Sequence, residues 1–314
     1  MKVFITGGLG QIGSHVAEMC LARGDTVLAI DDLTTGRREH LSEHDNLTVA
    51  LESIANKDAV EQLMGDFRPD AVVHTAASYK DPDDWYSDTL TNCVGGSNIV
   101  NAAKQFDVKR FVYFQTALCY GLKPMQNPIR LDHPRIPEGS SYAISKTANE
   151  LYLELSGLDY VTFRLANVIG PRNVAGPLPI FFQRLKDGKQ CFVTEARRDF
   201  VFVKDLARTV LKATDGIGHG AYHFSSGKDV AIKELYDAVV NAMGLNDYPE
   251  PEIKDLGADD VASILLDPSR TFGDFGEIEF TSLQDTVTAG IEYYKEHGTL
   301  GEYTHLRLDD KKEN

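Results

Sequence analysis

Short apolar runs alternate with segments of helical spacing from the start of the chain. Residues 2–5 form an apolar run typical of a strand, and residues 11–23 carry apolar side chains at helical spacing. The alternation continues, with strands predicted at 26–30, 47–51, 71–74, 110–115 and 160–165 and helices at 57–64, 86–106 and 142–156. Repeated strand–helix units predict an α/β protein with a doubly wound parallel sheet covered by helices on both faces.

The pattern loosens after residue 169, where prolines and glycines interrupt it. Helical spacing returns at 181–186, 232–243 and 283–296, and an apolar run at 221–225 predicts a strand that rejoins the main sheet. We therefore predict a first domain over residues 1–168, with returning segments near 199–227. A smaller, discontinuous C-terminal domain is expected mainly within residues 169–314.

Composition limits the classes of partner. The 314-residue chain is 42% hydrophobic and 25% charged, which is ordinary for a globular protein, and its net charge is −15. This acidic balance makes nucleic acid and membrane surfaces poor partners. The opening MKVFITGG has no signal-peptide pattern and no long apolar run follows it, so we expect a cytoplasmic protein without a membrane span. Reduced thiols and no metal site are expected, because the cysteines lack metal-ligand spacing: Cys20, Cys93, Cys119 and Cys191.

A glycine-rich turn separates the first predicted strand from the first helix. Its glycines, Gly7, Gly10 and Gly13, follow the pattern G-x-x-G-x-x-G. Glycines let the backbone approach a pyrophosphate, whose charge is met by the N-terminus of the helix. Between a strand and a helix, this spacing predicts a dinucleotide site.

The end of the second strand indicates which dinucleotide binds. Asp31 and Asp32 stand there, and a carboxylate at this point accepts the ribose hydroxyls of NAD and repels the 2′-phosphate of NADP. Arg37 and Arg38 follow in the next loop and leave NADP open as an alternative. NAD is the expected cofactor.

A phenol and an ammonium group are spaced for proton transfer. Tyr142 and Lys146 lie one helical turn apart, and a nearby positive charge favours the phenolate of a tyrosine whose pKa is ordinarily about 10. Thr116 ends the preceding strand, at the sheet edge where doubly wound folds bind ligands. These three residues are the candidate catalytic group.

Together these motifs resemble the extended short-chain dehydrogenase/reductases. Within them, the chain is similar to the NAD-dependent nucleotide-sugar epimerase/dehydratase family, which includes UDP-galactose 4-epimerase. The resemblance runs in consistent order over roughly residues 1–285. The motifs that carry it are the glycine turn, Asp31-Asp32, His74-Thr-Ala-Ala77, Asn92-x-x-Gly95, Thr116, Tyr142-x-x-x-Lys146, Arg164-Leu-Ala-Asn167-Val-Ile-Gly170-Pro-Arg172 and Arg198-Asp-Phe-Val-Phe-Val-Lys-Asp205.

The resemblance implies a Rossmann-type fold, a first domain that binds NAD, a C-terminal domain that binds the nucleotide sugar, and a homodimer built on the predicted helices 86–106 and 142–156. It implies catalysis by Thr116, Tyr142 and Lys146, with substrate held by Thr116, Asn167, Arg172 and Arg198. The cofactor residues carried over are Gly7, Gly10, Gln11, Ile12, Gly13, Asp31, Asp32, Ser53, Ile54, Thr75, Ala76, Ala77, Lys80, Asn92, Tyr142 and Lys146.

Several of these assignments have plainer alternatives. Arg172 is equally a loop charge, and Lys80 is either a phosphate or substrate contact or a solvated side chain. Asn92 and His74 also fit a structural role, as satisfiers of backbone groups near the cofactor. Two family features are missing: Leu256-Gly257-Ala258-Asp259-Asp260 lacks the arginine of the usual R-x-G-D segment, and Ser53-Ile54 replaces an acidic residue that meets adenine.

The residues after Thr116 narrow the reaction. Family dehydratases carry an acid–base pair there, whereas this chain has Ala117 and Leu118, and Cys119 is expected to point away as a packing residue. What remains is epimerisation at C4 of a UDP-hexose or a derivative, through a transient 4-keto sugar. Another NAD(P)-dependent reaction on a nucleotide sugar, such as 4-keto reduction or oxidative decarboxylation, is the alternative, and a non-catalytic dinucleotide-binding regulator is a third reading.

Overall fold

The computed structural model describes residues 1–79, 81–245, 248–256 and 261–299. The strands are β1 (Lys2–Thr6), β2 (Thr26–Asp31), β3 (Leu47–Leu51), β4 (Ala71–His74), β5 (Arg110–Thr116), β6 (Tyr160–Leu165), β7 (Asn167–Ile169), β8 (Phe192–Thr194), β9 (Arg197–Arg198), β10 (Phe200–Phe202), β11 (Gly220–Phe224), β12 (Val230–Ala231), β13 (Glu252–Lys254) and β14 (Ser263–Ile264). The α-helices are α1 (Gln11–Ala22), α2 (Lys57–Phe67), α3 (Trp85–Asp88), α4 (Gly96–Gln105), α5 (Ser141–Ser156), α6 (Pro177–Lys186), α7 (Val203–Thr214), α8 (Ile232–Met243), α9 (Ser269–Phe275) and α10 (Leu283–His297).

Seven parallel strands form the central sheet, in the order β11-β6-β5-β4-β1-β2-β3. The winding direction reverses between β1 and β4, and a crevice for ligands opens at the carboxyl ends of the strands beside such a reversal. The predicted α/β fold with a doubly wound parallel sheet is confirmed.

The two faces of the sheet pack against separate sets of helices. Val3 and Ile5 lie in one buried cluster with Val16 of α1, whereas Phe4 lies in the other with Ile99 of α4. Successive side chains of a strand point to opposite faces, so the continuous apolar run of β1 fills both layers.

The later part of the chain divides between the sheet and a second core. β11 lies next to β6, and α7 contributes Leu206 to the same cluster as Val16. The second core gathers α6, α8 and α10 around Leu178, Leu235 and Ile291. No helix in the described ranges is long and apolar enough to span a membrane.

The predicted helix 86–106 is interrupted. α3 ends at Asp88, residues Thr89–Gly95 form a π-helix, and α4 begins at Gly96. A Cβ on Gly96 would lie 2.3 Å from Nδ2 of Asn149 on α5, so this segment approaches its neighbour too closely for a larger residue. A wide turn of this kind is uncommon and often marks a functional site.

A buried carboxylate ties α5 to the sheet. Glu150 is fully buried, and its oxygens accept from Nε of Arg164 on β6 at 3.1 Å and from Nε2 of Gln115 on β5 at 3.1 Å. Arg135 adds a 3.2 Å ion pair from the side of the loop before α5. This carboxylate therefore fixes α5 relative to two adjacent strands.

We expect Glu150→Ala to lower the free energy of unfolding by about 3–5 kcal/mol, because Arg164 would be left as an uncompensated buried charge. Urea unfolding at fixed protein concentration measures this. Glu154→Ala is the matched control, since Glu154 lies one turn further along α5 at the surface and pairs with Arg135, where a loss below about 1 kcal/mol is expected. Equal losses of unfolding free energy in the two variants would contradict the role of Glu150 in fixing α5 to the sheet.

Candidate active site

A large cleft lies at the carboxyl edge of the sheet. Its volume is about 750 Å³, and residues from the glycine turn, the ends of β2 to β6 and the second core contribute to its wall. This volume is near the upper end of the range for small-molecule and cofactor sites. The cleft is therefore large enough to hold more than one ligand group.

The glycine turn is packed against the segment after β4. Gly7 has a φ of +62°, and a Cβ there would lie 2.7 Å from the backbone N of Ala76. A Cβ on Gly13 would lie 2.2 Å from the carbonyl oxygen of Gly7. Thr75 closes the arrangement by donating its hydroxyl to the carbonyl of Thr6 at 2.6 Å. Larger residues at these positions would push the turn out of place.

The N-terminus of α1 opens into the cleft through Gly10, Gln11 and Ile12. Within the described residues, no side chain caps this terminus and its first turn holds no acidic residue. The Nε2 atom of Gln11 is buried without a hydrogen-bond partner in the same part of the chain. Free N–H groups at a helix N-terminus suit an anionic diphosphate, so the turn fits the phosphates of a dinucleotide.

Asp31 and Asp32 both line the cleft beside the turn. Asp31 accepts from the backbone N–H groups of Leu9 and Leu33, each at 2.9 Å, and burial raises the pKa of its carboxyl. The arginines that kept NADP open are turned elsewhere: Arg37 donates to the carbonyl of His297, and Arg38 donates to that of Leu41. A 2′-phosphate would therefore meet carboxylates.

The adenine end contains an acidic residue that the sequence analysis missed. Glu52 directly follows β3 and lines the cleft with Ser53 and Ile54. The carboxylate of Glu52 accepts from the N–H of Ser53 at 2.8 Å, and the Ser53 hydroxyl accepts from the N–H of Ala55. The acidic residue expected after β3 is therefore present as Glu52, one residue before the Ser53-Ile54 pair that was compared with it. The difference arises because β3 ends at Leu51.

The segment after β4 contributes Thr75, Ala76 and Ala77 to the cleft. Asn92 is buried behind the described cleft wall and bonds to both backbone groups of Ser78, which fits its structural alternative. Its role is to hold the loop. His74 is likewise structural, bonded to Thr6 at 2.6 Å, with burial lowering its pKa to about 3. Lys80 lies outside the described residues.

The three candidate catalytic residues meet in the cleft: Thr116 at the end of β5, and Tyr142 and Lys146 on α5. The Lys146 ammonium lies 4.3 Å from the centroid of the Tyr113 ring, and burial lowers its pKa to about 7. Burial, followed by the fields of Tyr79 and Asp88, raises the pKa of Tyr142. The site therefore brings together a proton carrier, a positive group and a hydroxyl.

The chain turns directly after Thr116. Residues Ala117–Tyr120 form a 3₁₀ turn, capped by the Thr116 hydroxyl, which accepts from the N–H of Leu118 at 3.2 Å. The strand alternation used to orient Cys119 therefore does not apply. Cys119 is nevertheless fully buried in an apolar cluster, and burial raises the pKa of its thiol to about 12.

The far end of the cleft holds Asn167, Arg198 and Arg184, the last of which the motif analysis missed. Arg184 lies on α6, outside the recognised motifs. Arg172 does not contribute to the described cleft wall, and it donates to the Ser14 hydroxyl and the Glu18 carboxylate of α1. Its contact with the substrate stays a prediction. The expected R-x-G-D position, 256–260, lies outside the described residues apart from Leu256.

Comparison with known proteins shows a matching family model and full-length relatives. The model of the NAD dependent epimerase/dehydratase family matches residues 3–223. The chain is 30% identical to the UDP-glucose 4-epimerase of Mycolicibacterium smegmatis, covering 94% of this chain and 99% of that protein.

Two solved structures from Bordetella bronchiseptica superpose closely. WbmH in complex with NAD+ is 73% identical, with a TM-score of 0.94 over 95% of this chain and 99% of that one. WbmG with NAD and UDP is 40% identical, with a TM-score of 0.87 over 97% of each chain. The resemblance inferred from the motifs, and the NAD dependence it implied, are confirmed.

The ammonium of Lys146 destabilises the ligand-free fold. The unfolded chain holds this proton up to about pH 10.5, whereas the folded protein releases it near pH 7, so stability rises with pH across that interval. We expect NAD-free Lys146→Met to resist urea better than the wild type at pH 7, with the difference shrinking towards pH 10.

The control for this experiment is Lys104→Met, at an exposed position in the last turn of α4. It should give no difference that changes with pH. An advantage of Lys146→Met that stays constant between pH 7 and pH 10 would contradict the buried-ammonium explanation.

Proposed function

The chain belongs to the NAD dependent epimerase/dehydratase family, and we propose that it interconverts the C4 epimers of a nucleotide-linked sugar, a UDP-hexose or a derivative of one. The observation that carries the proposal is the set Thr116, Tyr142 and Lys146 followed by Ala117 and Leu118, which bring no acid or base. Chemistry limited to hydride and one proton at C4 needs only that set.

The proposed roles follow from the geometry of the cleft. NAD, when bound, takes a hydride from C4 and returns it to the opposite face. Tyr142 takes the hydroxyl proton and gives it back, and Thr116 donates a hydrogen bond to the same oxygen. Because burial raises the pKa of Tyr142, deprotonation depends on positive charge nearby, which Lys146 supplies.

The remaining assignments divide along the cleft. We assign the glycine turn, Asp31, Asp32 and Glu52 to NAD, and Asn167, Arg198 and Arg184 to the nucleotide diphosphate of the substrate. Residues 1–168 with 199–227 then form the NAD domain, and most of the remainder binds the nucleotide sugar. UDP is the favoured nucleotide because WbmG is described with UDP and the Mycolicibacterium relative is a UDP-glucose 4-epimerase.

The test is to incubate the purified protein with UDP-glucose, UDP-galactose and their N-acetylated forms without added cofactor. We expect a mixture of C4 epimers from at least one pair and no net NADH. Turnover that strictly consumes NADPH, or that releases carbon dioxide, would replace epimerisation with the corresponding oxidoreductase reaction.

Tyr142→Phe should retain NAD and lose turnover by roughly 10²- to 10⁴-fold, because it removes the hydroxyl assigned to carry the proton. Tyr152→Phe, on the outer face of the same helix, is the matched control and should keep activity. Full activity in Tyr142→Phe would rule out the assigned proton carrier.

We further propose a homodimer through the outer face of α5. Ile144, Leu151 and Leu155 are exposed at helical spacing along one stripe, with Leu155 82% accessible. Leu155→Glu should shift the protein to a monomer in sedimentation velocity, because two copies of the charge would meet in a symmetric interface. Ile253→Glu, exposed on β13, should leave the sedimentation coefficient unchanged; a dimer that survives Leu155→Glu would place the interface elsewhere.

A further inference from the structure

Asp88 is a buried carboxylate in the cleft that none of the assigned roles uses. It is the last residue of α3, its side chain is 1% exposed, and it contributes to the cleft wall. Its Oδ1 atom is enclosed and finds no hydrogen-bond partner in the described parts of the chain. The Ser78 and Ser141 hydroxyls hydrogen-bond to the carboxylate, but a buried carboxylate oxygen without a donor is costly, so the free Oδ1 at a ligand cleft calls for a ligand that supplies one.

The other acidic residues of this segment have ordinary local roles. Asp84 caps α3 by accepting from the N–H of Ser87, and Asp81 accepts from the N–H of Asp83. Both are exposed to solvent, where a carboxylate is well hydrated. Asp81 also contributes to the cleft wall, so Asp88 differs from its neighbours in being enclosed, with one carboxylate oxygen left without a donor in the described parts of the chain.

The surroundings of Asp88 place it at the reacting end of the cleft. The Ser78 and Ser141 hydroxyls lie beside the carboxylate and lower its pKa, but burial has the larger effect and raises it, and the fields of Asp81 and Asp84 act in the same direction. Its own field raises the pKa of Tyr142 and that of Cys93. Because Tyr142 marks where the reacting sugar carbon lies, Asp88 borders the sugar rather than the nucleotide base.

The backbone around Asp88 is shaped for this placement. The π-helix begins at the next residue, Thr89, and its wide turns carry the chain towards α5. Such turns frequently re-aim a side chain at a functional site. The interruption of the predicted long helix and the buried carboxylate therefore occur at one point.

We propose that Asp88 accepts a hydrogen bond from the sugar of the substrate, from a hydroxyl or an amide N–H, and so selects sugars that present a donor at that position. The inference rests on the proposed function. An ionised carboxylate only accepts, and it repels a sugar whose corresponding carbon bears an anionic group. Loss of such a charge-assisted bond corresponds to a roughly 10- to 100-fold change in affinity.

The test compares Asp88→Asn with the wild type, both loaded with NAD, by calorimetric titration of UDP and of the UDP-hexose that the wild type converts. We expect UDP to bind equally well and the UDP-hexose to bind about 10- to 100-fold more weakly in the variant. Asp84→Asn controls for the lost charge, because asparagine caps a helix as well as aspartate does, and it should bind both ligands as the wild type does. The urea midpoint of ligand-free Asp88→Asn should not fall below that of the wild type, since a buried charge with one unsatisfied oxygen is removed.

A series of monodeoxy UDP-hexoses identifies the donor. For the analogue that lacks the contacted group, the wild type and Asp88→Asn should bind equally. Unchanged UDP-hexose affinity in Asp88→Asn, an equal loss for UDP and UDP-hexose, or lost turnover at unchanged sugar affinity would each overturn the proposal. A wild type that holds NAD but binds no UDP-sugar would instead refute the proposed function.

Discussion

The catalytic arrangement depends on one buried carboxylate. Glu150 joins α5, which carries Tyr142 and Lys146, to Gln115 on the strand that ends in Thr116. The Oε1 atom of Gln115 accepts from the N–H of Thr116 itself at 2.8 Å. The phenol, the ammonium and the hydroxyl therefore hold their relative positions through a single connected set of bonds. Alignment of reacting groups to within about an ångström is what gives a site its catalytic advantage.

The same carboxylate links the site to the returning strand. Arg164, paired with Glu150, donates to the Tyr120 hydroxyl at 2.7 Å, and that hydroxyl bonds to Nε2 of His223 on β11 at 2.6 Å. Burial lowers the pKa of His223 to about 4. The imidazole of His223 is therefore neutral near pH 7 and adds no charge to the network. β11 thus completes the sheet and, through His223, also holds Tyr120 in the turn that follows Thr116.

How far the sequence predicts this molecule depends on how local each feature is. The apolar patterns predicted the exact bounds of β3, β4, β6 and α8, because the periodicity of a strand or helix depends on residues close together in the sequence. The family and its NAD dependence were recognised from a series of motifs in consistent order, and the Thr116, Tyr142 and Lys146 set was predicted from its place within that series. The π-helix was not, since it reflects the close approach of Gly96 to α5. The ion pair of Arg172 with Glu18 was not predicted either, because the two residues are far apart in the sequence. Asp88 lies within the predicted helix 86–106 and belongs to no motif, so its enclosure is visible only in the fold.

The distribution of apolar and charged residues along the cleft also explains how the sugar can rotate within it. Epimerisation at C4 requires the sugar to present both faces to the cofactor, so directional bonds to it must be few. The segment directly after Thr116 meets this need, because Ala117 and Leu118 line the cleft together with Val261 and Ile264 and offer an apolar surface. Arg184 and Arg198, whose charges can bind a diphosphate strongly, lie at the far end of the cleft wall. In this arrangement the nucleotide is bound at the far end, and only a few hydroxyl and carboxylate oxygens contact the sugar. The sugar can therefore rotate while its reacting carbon stays within reach of Tyr142.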